Sequence, residues 1–207
     1  MVNQQTVINV DASFNKIYGD DPFPLGASTN NNETNITYSS DNSAVTVDSS
    51  GWVTIVSATG DTYATITLSQ EATTNYSSGS TTTKIYVERQ QTVINVDASF
   101  NVIYGDPSFN LNATSNNTES NFSYVPDSSA VTISSDGTVT INSAVTGYVT
   151  VTISKAMSTD YTSGSTTTRI YIVQQQTAIV VDASFNKIYG DAPFNLNATS
   201  NNTEAVI

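Results

Sequence analysis

A chain of 207 residues with 38% hydrophobic and 12% charged side chains is too apolar for a disordered acidic tail, and it is long enough for one large domain or two ordinary ones. The net charge of −12 repels phosphate backbones and argues against nucleic-acid binding, while keeping an extended surface array soluble. With no Cys and no His, the chain lacks thiol nucleophiles, disulfides, zinc sites of the usual kind and the commonest general base.

Thr, Val, Ile and Tyr fit a pleated, half-buried surface, whereas the helix builders Leu, Ala, Lys and Glu are scarce, so the chain reads as all-β. No apolar run approaches the ~20 residues of a membrane span. The opening Met1-Val2-Asn3-Gln4-Gln5 lacks the basic and apolar regions of a signal peptide. The expectation is either a piece of a longer secreted chain or a component that reaches its site as a virion protein would.

The first segment, QQTVINVDASF at 4–14, recurs at 90–100 and again, as QQTAIVVDASF, at 175–185. After it comes Ile17-Tyr18-Gly19-Asp20, repeated as Ile103-Tyr104-Gly105-Asp106 and Ile188-Tyr189-Gly190-Asp191. Phe23, Leu25 and Ala27 then recur as Phe109, Leu111 and Ala113, and as Phe194, Leu196 and Ala198. Short alternating runs follow in chain order: Ile36 and Tyr38, Val45 and Val47, Val53 and Ile55, Ala64 to Leu68, Ile85 and Val87. Each has an apolar counterpart in the second copy, the signature of strands with one buried face. Trp52 becomes Thr138 in that copy, so its face is solvent.

The turns Asp48-Ser49-Ser50-Gly51 and Ser134-Ser135-Asp136-Gly137 sit between strands, with Gly supplying a positive φ. The second copy is one residue shorter, between Ile141 and Tyr148, than the first between Ile55 and Tyr63. That places the change in a turn, because a slip inside a strand would turn every side chain to the wrong face. Seven or eight strands per copy, with turns every 8–12 residues, predict tandem Ig-like antiparallel β-sandwich modules of about 86 residues.

The expected modules span 4–89 and 90–174, with an incomplete third at 175–207 that holds only the first strands. The junctions at Val87–Thr92 and Ile172–Thr177 contain no Gly or Pro, which predicts a stiff rod. The third copy stops at Ile207, inside an expected strand. Either the chain continues past it, or strands from a neighbouring subunit complete the module.

The order Tyr18-Gly19-Asp20, Pro22-Phe23, Tyr38 to Val45, Val47 to Gly51 and Tyr76 resembles the MBG-type (YGX class) bacterial surface modules. Its middle stretch is similar to the group 2 bacterial Ig-like domain. The resemblance covers both complete copies and the start of the third. It implies an Ig-like sandwich used in tandem in adhesins, cell-surface proteins and some phage or virus structural proteins, and it brings no catalytic residues.

Candidate chemistry is sparse. Asp20, Asp106 and Asp191, with Asp11, Asp97 and Asp182, are possible oxygen ligands for Ca²⁺, but one copy supplies too few for a cation that wants six to eight oxygens. The competing reading is a turn with Gly for the backbone, Asp for an Asx-type bond and Tyr as a buried anchor. A Lys–Asn cross-link shared by the copies is excluded. Lys16 becomes Val102, Lys84 becomes Arg169, and Lys155 falls opposite Glu71-Ala72.

Asn-X-Ser/Thr occurs at Asn32, Asn35, Asn75, Asn112, Asn116, Asn121, Asn197 and Asn201, as chance produces in so Asn-rich a chain. Glu33, Glu119 and Glu204 share one repeated place with no second repeated Glu to form an acid pair. The Asn-rich turns (Asn30 to Asn32, Asn116-Asn117) read as solvated loops that sugars could contact. The sequence therefore points to a non-catalytic spacer array of a surface fibre or stalk, on a cell or a virion, with no assigned catalytic, cofactor or metal residue. Its partners would be other copies or neighbouring modules. The alternative is an adhesin or carbohydrate-binding array contacting surface glycans or receptors.

Overall fold

The computed structural model describes residues 3–202; Glu204 and Ile207 lie outside the described residues. The first copy forms β1 (Ile8–Asn9), β2 (Ser13–Ile17), β3 (Phe23–Pro24), β4 (Ser28–Thr29), β5 (Thr37–Ser40), β6 (Val45–Val47), β7 (Trp52–Ile55), β8 (Ala64–Gln70) and β9 (Gly79–Glu88). A four-stranded sheet in the order β2-β9-β8-β5 faces a three-stranded sheet in the order β3-β7-β6, and β1 pairs separately with β4. All pairings are antiparallel except β2 with β9, which run parallel from Ser13↔Lys84 to Ile17↔Glu88. Two packed sheets with this strand order form an Ig-like sandwich.

Nine short strands replace the seven or eight expected because the first apolar run is split. At the break the chain passes from β4 to β9. There Thr83 donates to the carbonyl of Asp11 and the Lys84 N–H to that of Ala12. These bonds satisfy backbone groups that neither ladder covers. Asp97 and Ala98 do the same in the second copy.

The second copy repeats the plan with β10 (Ile94–Asn95), β11 (Ser99–Ile103), β12 (Phe109–Asn110), β13 (Thr114–Ser115), β14 (Phe122–Pro126), β15 (Val131–Ile133), β16 (Thr138–Ile141), β17 (Val149–Lys155) and β18 (Gly164–Val173). Its sheets are β11-β18-β17-β14 and β12-β16-β15.

Alternation places the cores. On β8, Ala64, Ile66 and Leu68 point inward against Ile85 and Val87 of β9, and Val45, Val53, Phe23 and Leu25 close the core from the other sheet. The second core holds Val149, Val151, Ile153, Ile170, Ile172, Val131, Val139 and Leu111. Burying each large aliphatic side chain stabilises its sandwich by about 1.5–3 kcal/mol. Trp52 lies on the opposite face of β7 and is 49% exposed, whereas neighbouring Val53 is fully buried. The outer face is thus the one that changes between copies.

Gly51 and Gly137 close the hairpin turns with φ of 81° and 86°. A Cβ at Gly51 would lie 2.9 Å from the Tyr38 ring, and one at Gly137 2.9 Å from the Tyr124 hydroxyl. The glycine and the tyrosine therefore recur together because they occupy one space.

The third copy pairs β19 (Ile179–Val180) with β20 (Thr199–Ser200). Residues 184–188, the counterpart of β2 and β11, are not a strand. In the complete copies that strand's hydrogen-bonded neighbour is β9 or β18, and no equivalent lies among the described residues. Local contacts survive, as in Phe185 against Phe194 at 5.2 Å, but Ile188, Tyr189 and Leu196 are exposed.

Candidate functional site: the joint between the sandwiches

In each Tyr-Gly-Asp turn the Asp carboxylate accepts from the backbone N–H three residues earlier: Asp20 from Ile17 at 3.0 Å, Asp106 from Ile103 at 2.9 Å, and Asp191 from Ile188 at 3.1 Å. The glycine sits at φ 95°, 99° and 95°. These carboxylates thus serve their own turns. Among the described residues no three Asp or Glu side chains gather where a cation could bind them.

The first of these turns carries Tyr18 to the end of the first sandwich that adjoins the second. There it meets Tyr161 edge to face, with centroids 5.6 Å apart and planes at 78°. Tyr161 belongs to the loop between β17 and β18. The backbone of that loop bridges to the connecting segment: the Gln90 N–H donates to the Asp160 carbonyl at 2.8 Å, and the Thr162 N–H to the Gln90 carbonyl at 2.9 Å.

Asp160 is the centre of the joint. Its Oδ1 accepts the Ala58 N–H and the Ser57 hydroxyl, both at 2.7 Å, from the loop after β7 of the first sandwich. Its own N–H donates to Glu119 Oε2 at 3.1 Å. Beside it, Arg89 donates through Nε to the Ser158 carbonyl at 3.1 Å. Asp160 is only 7% exposed.

Burial alone would raise the Asp160 pKa. The Ala58 N–H, the Ser57 hydroxyl, a side-chain hydrogen bond with Glu119 and the nearby Arg89 charge outweigh burial and hold the carboxyl below its ordinary value. The reciprocal effect falls on Tyr18, whose pKa is raised first by the Asp160 charge and then by burial. The Ser158 hydroxyl is buried here without a hydrogen-bond partner.

The first sandwich carries a neutral counterpart of this loop. Asn75 stands where Asp160 does, donating through Nδ2 to Glu33 at 2.5 Å, and Gln4 bridges to Tyr76 as Gln90 does to Tyr161. The repeated Glu33 and Glu119 thus hold equivalent loops in position.

The Asn-rich turns differ from the expectation of solvated loops. Asn31 and Asn117 are fully buried. Each donates through Nδ2 to a buried threonine, Thr6 at 3.2 Å and Thr92 at 3.0 Å, and each accepts from the following Glu N–H. Burial of an amide is stable only because these bonds replace water.

Lys155 also differs from its expected place. Strand register puts it opposite Gly164, as Gln70 lies opposite Gly79, so it replaces Gln70 rather than facing Glu71-Ala72. Gln70 donates to the Asn31 and Thr34 carbonyls. Lys155 donates to the Asn117 carbonyl and lies 4.4 Å from the Phe122 ring centre.

On the outer face of the four-stranded sheet, Lys84 sits 4.3 Å over Tyr63, which packs on Tyr86 at 5.4 Å. The second copy has Arg169 over Tyr148, packed on Tyr171. Both sandwiches therefore present the same exposed cation–tyrosine patch.

Asp160, Ser57, Ala58 and Arg89 were not singled out by sequence reasoning. Comparison of the copies held a signal: Asp160 replaces Asn75, and Arg89 becomes Gln174.

No family model matches the chain, and no curated protein matches it. Among solved structures it is similar to the titin domains z1z2 in complex with telethonin, at 15% identity over 85% of this chain and 100% of that one, with a TM-score of 0.46. It is also similar to human protocadherin-24 EC1-2, at 15% identity over 80% of this chain and 95% of that one, with a TM-score of 0.34. A third is the N-terminal Ig1-2 module of the Drosophila receptor protein tyrosine phosphatase DLAR, at 11% identity over 82% and 99%, with a TM-score of 0.31.

Proposed function

We propose that this chain is a non-catalytic spacer array, built from MBG-type (YGX class) modules, in a fibre or stalk on a cell or virion surface. The observation that supports it best is the joint. Two sandwiches with separate cores meet through a buried carboxylate held by the neighbouring sandwich, an arrangement that fixes direction rather than forming a substrate cleft. A spacer has to transmit position, and a joint that resists bending does so. Its partners in this reading are neighbouring modules and other parts of the same fibre.

Small-angle scattering of the intact chain tests the reading. One rigid arrangement of the first two sandwiches should account for the data. An ensemble of freely pivoting sandwiches would remove the basis for a spacer.

Direct adhesion is the second reading. It is favoured by the cation–tyrosine patch that both complete copies expose, since exposed aromatic rings beside polar side chains suit sugar or protein contact. A glycan array probed with the intact chain, and with Tyr63→Ser plus Tyr148→Ser, separates the two. Binding lost in the double variant supports adhesion, and no binding leaves the spacer.

A further inference from the structure

We propose that Asp160 is an acid-releasable lock that sets the angle between the first two sandwiches, and that its protonation turns a stiff joint into a hinge. The inference concerns the joint itself and holds whether the array serves as spacer or adhesin.

The argument begins with what else joins the two bodies. The connecting chain runs from Glu88 at the end of β9 to Ile94 at the start of β10; it is too short and too poor in Gly to be a floppy linker, but a chain that crosses once does not by itself fix the angle between two bodies. Direction must come from contacts on either side of it. Among the described residues these are the Gln90 backbone bonds to Asp160 and Thr162, the Tyr18–Tyr161 ring pair, the Arg89 bond to the Ser158 carbonyl and the two bonds to Asp160 Oδ1. The Gln90 bonds tie the connecting segment to the second sandwich only, so they leave its angle to the first unset. The ring pair tolerates sliding, because an edge-to-face contact is shallow and broad in geometry. The Asp160 bonds are charge-assisted, short and buried, so they carry the directional part of the joint.

The lock is built from both sides. The Ala58 N–H and the Ser57 hydroxyl converge on one carboxylate oxygen from one sandwich. From the other, Glu119 accepts the Asp160 N–H and so orients the loop that presents the carboxylate. The groups facing Asp160 are therefore Arg89 after β9, Tyr18 in the turn after β2, Glu119 before β14, and Tyr161 beside it in the loop. Arg89 supplies the positive charge that faces Asp160. Tyr18, whose pKa is raised, stays neutral in acid.

Acid therefore acts at the joint through Asp160. A protonated Asp160 loses its attraction to Arg89 and its charge-assisted bonds. Because the carboxyl is held below its ordinary value in the docked state, docking is fully favoured above the ordinary carboxylate range. That preference is lost as pH falls through the lowered value.

The test uses spin labels on the intact chain, which has no native cysteine. Thr46→Cys and Thr132→Cys lie on the exposed faces of β6 and β15, one on each sandwich. Label-to-label distances are measured by pulsed electron resonance near neutrality and at about pH 1, because a carboxyl held below its ordinary value takes up its proton only once pH has fallen through the lowered one. Circular dichroism at each pH checks that both sandwiches remain folded.

A single narrow distance near neutrality, lost in acid, is expected. Asp160→Asn keeps the acceptor oxygen but cannot titrate, so its distribution should be the same at both pH values. Asp160→Ala should show the broad distribution at both. A distance that stays narrow in acid, or acid broadening that persists in Asp160→Asn, overturns the proposal.

Discussion

Replacing Gly51 by Ala should destabilise the first sandwich far more than its size suggests. Two costs add at this position. The backbone lies at φ 81°, a conformation that costs an L side chain about 1–2 kcal/mol. The new methyl would also meet Tyr38 Cζ and Oη at 2.9 Å. The ring is held where β5 pairs with β8 through Tyr38↔Leu68, so relief requires moving a strand. Overpacking of this kind costs a further 1–3 kcal/mol or so.

Gly26→Ala isolates the first cost, because Gly26 has φ 63° and a methyl there would find nothing within 4 Å. Gly51→Ala should therefore lower the melting point of the first sandwich by on the order of 10 °C or more, against a few degrees for Gly26→Ala. Scanning calorimetry measures both. Trp52, the only tryptophan, reports the first sandwich by fluorescence. Combining Gly51→Ala with Tyr38→Leu should recover the steric part in a double-mutant cycle. If Gly51→Ala costs no more than Gly26→Ala, or if the cycle shows no coupling, the shared-space account of this pair is wrong.

Three further outcomes are expected. Lys155→Gln, which installs the residue of the equivalent place in the first sandwich, should leave the second sandwich's melting point unchanged or raise it. Lys155→Met should lower it, leaving the Asn117 carbonyl unpaired at a cost of about 1–3 kcal/mol. Asn31→Ala and Asn117→Ala should each cost about 1–3 kcal/mol in denaturant unfolding by stranding the buried hydroxyl and N–H groups they serve, whereas exposed Asn32→Ala should be close to neutral. Asp41 has its pKa lowered chiefly by the Thr65 backbone N–H. Its contribution is therefore present above the unfolded-state value and disappears as pH falls through the folded one. Asp41→Asn should make the acid limb of a stability-versus-pH curve less steep.

Much of each sandwich was legible in the chain. Comparing copies separated Val53, which stays apolar, from Trp52, which becomes Thr138, and the two do lie on opposite faces of β7. The Gly and Asp of the Tyr-Gly-Asp turn were legible because every atom they use lies within four residues, whereas the tyrosine expected to be buried is exposed at Tyr104 and Tyr189. The Asn-rich turns misled for the opposite reason. Composition marks Asn30 to Asn32 as solvated, but the middle of the turn is drawn inward by Thr6, 25 residues away. Lys155 was misplaced by a count that ran past its counterpart: it stands as far before Gly164 as Gln70 stands before Gly79, so the sequence itself pairs it with Gln70.

The alternation of apolar side chains, the turn glycines and the repeat itself determined by sequence alone that this is a tandem array of sandwiches and which face of each strand is core. Those properties are local, since side chains alternate along any strand and a positive φ belongs to one residue. Tertiary structure alone decided which strands pair in parallel, why residues 184–188 form no strand when the others do, and what joins the first two bodies. Each depends on groups brought together from distant parts of the chain, and the widest hydrogen-bonded span among the described residues, 103 residues from Ser57 to Asp160, helps to make the joint.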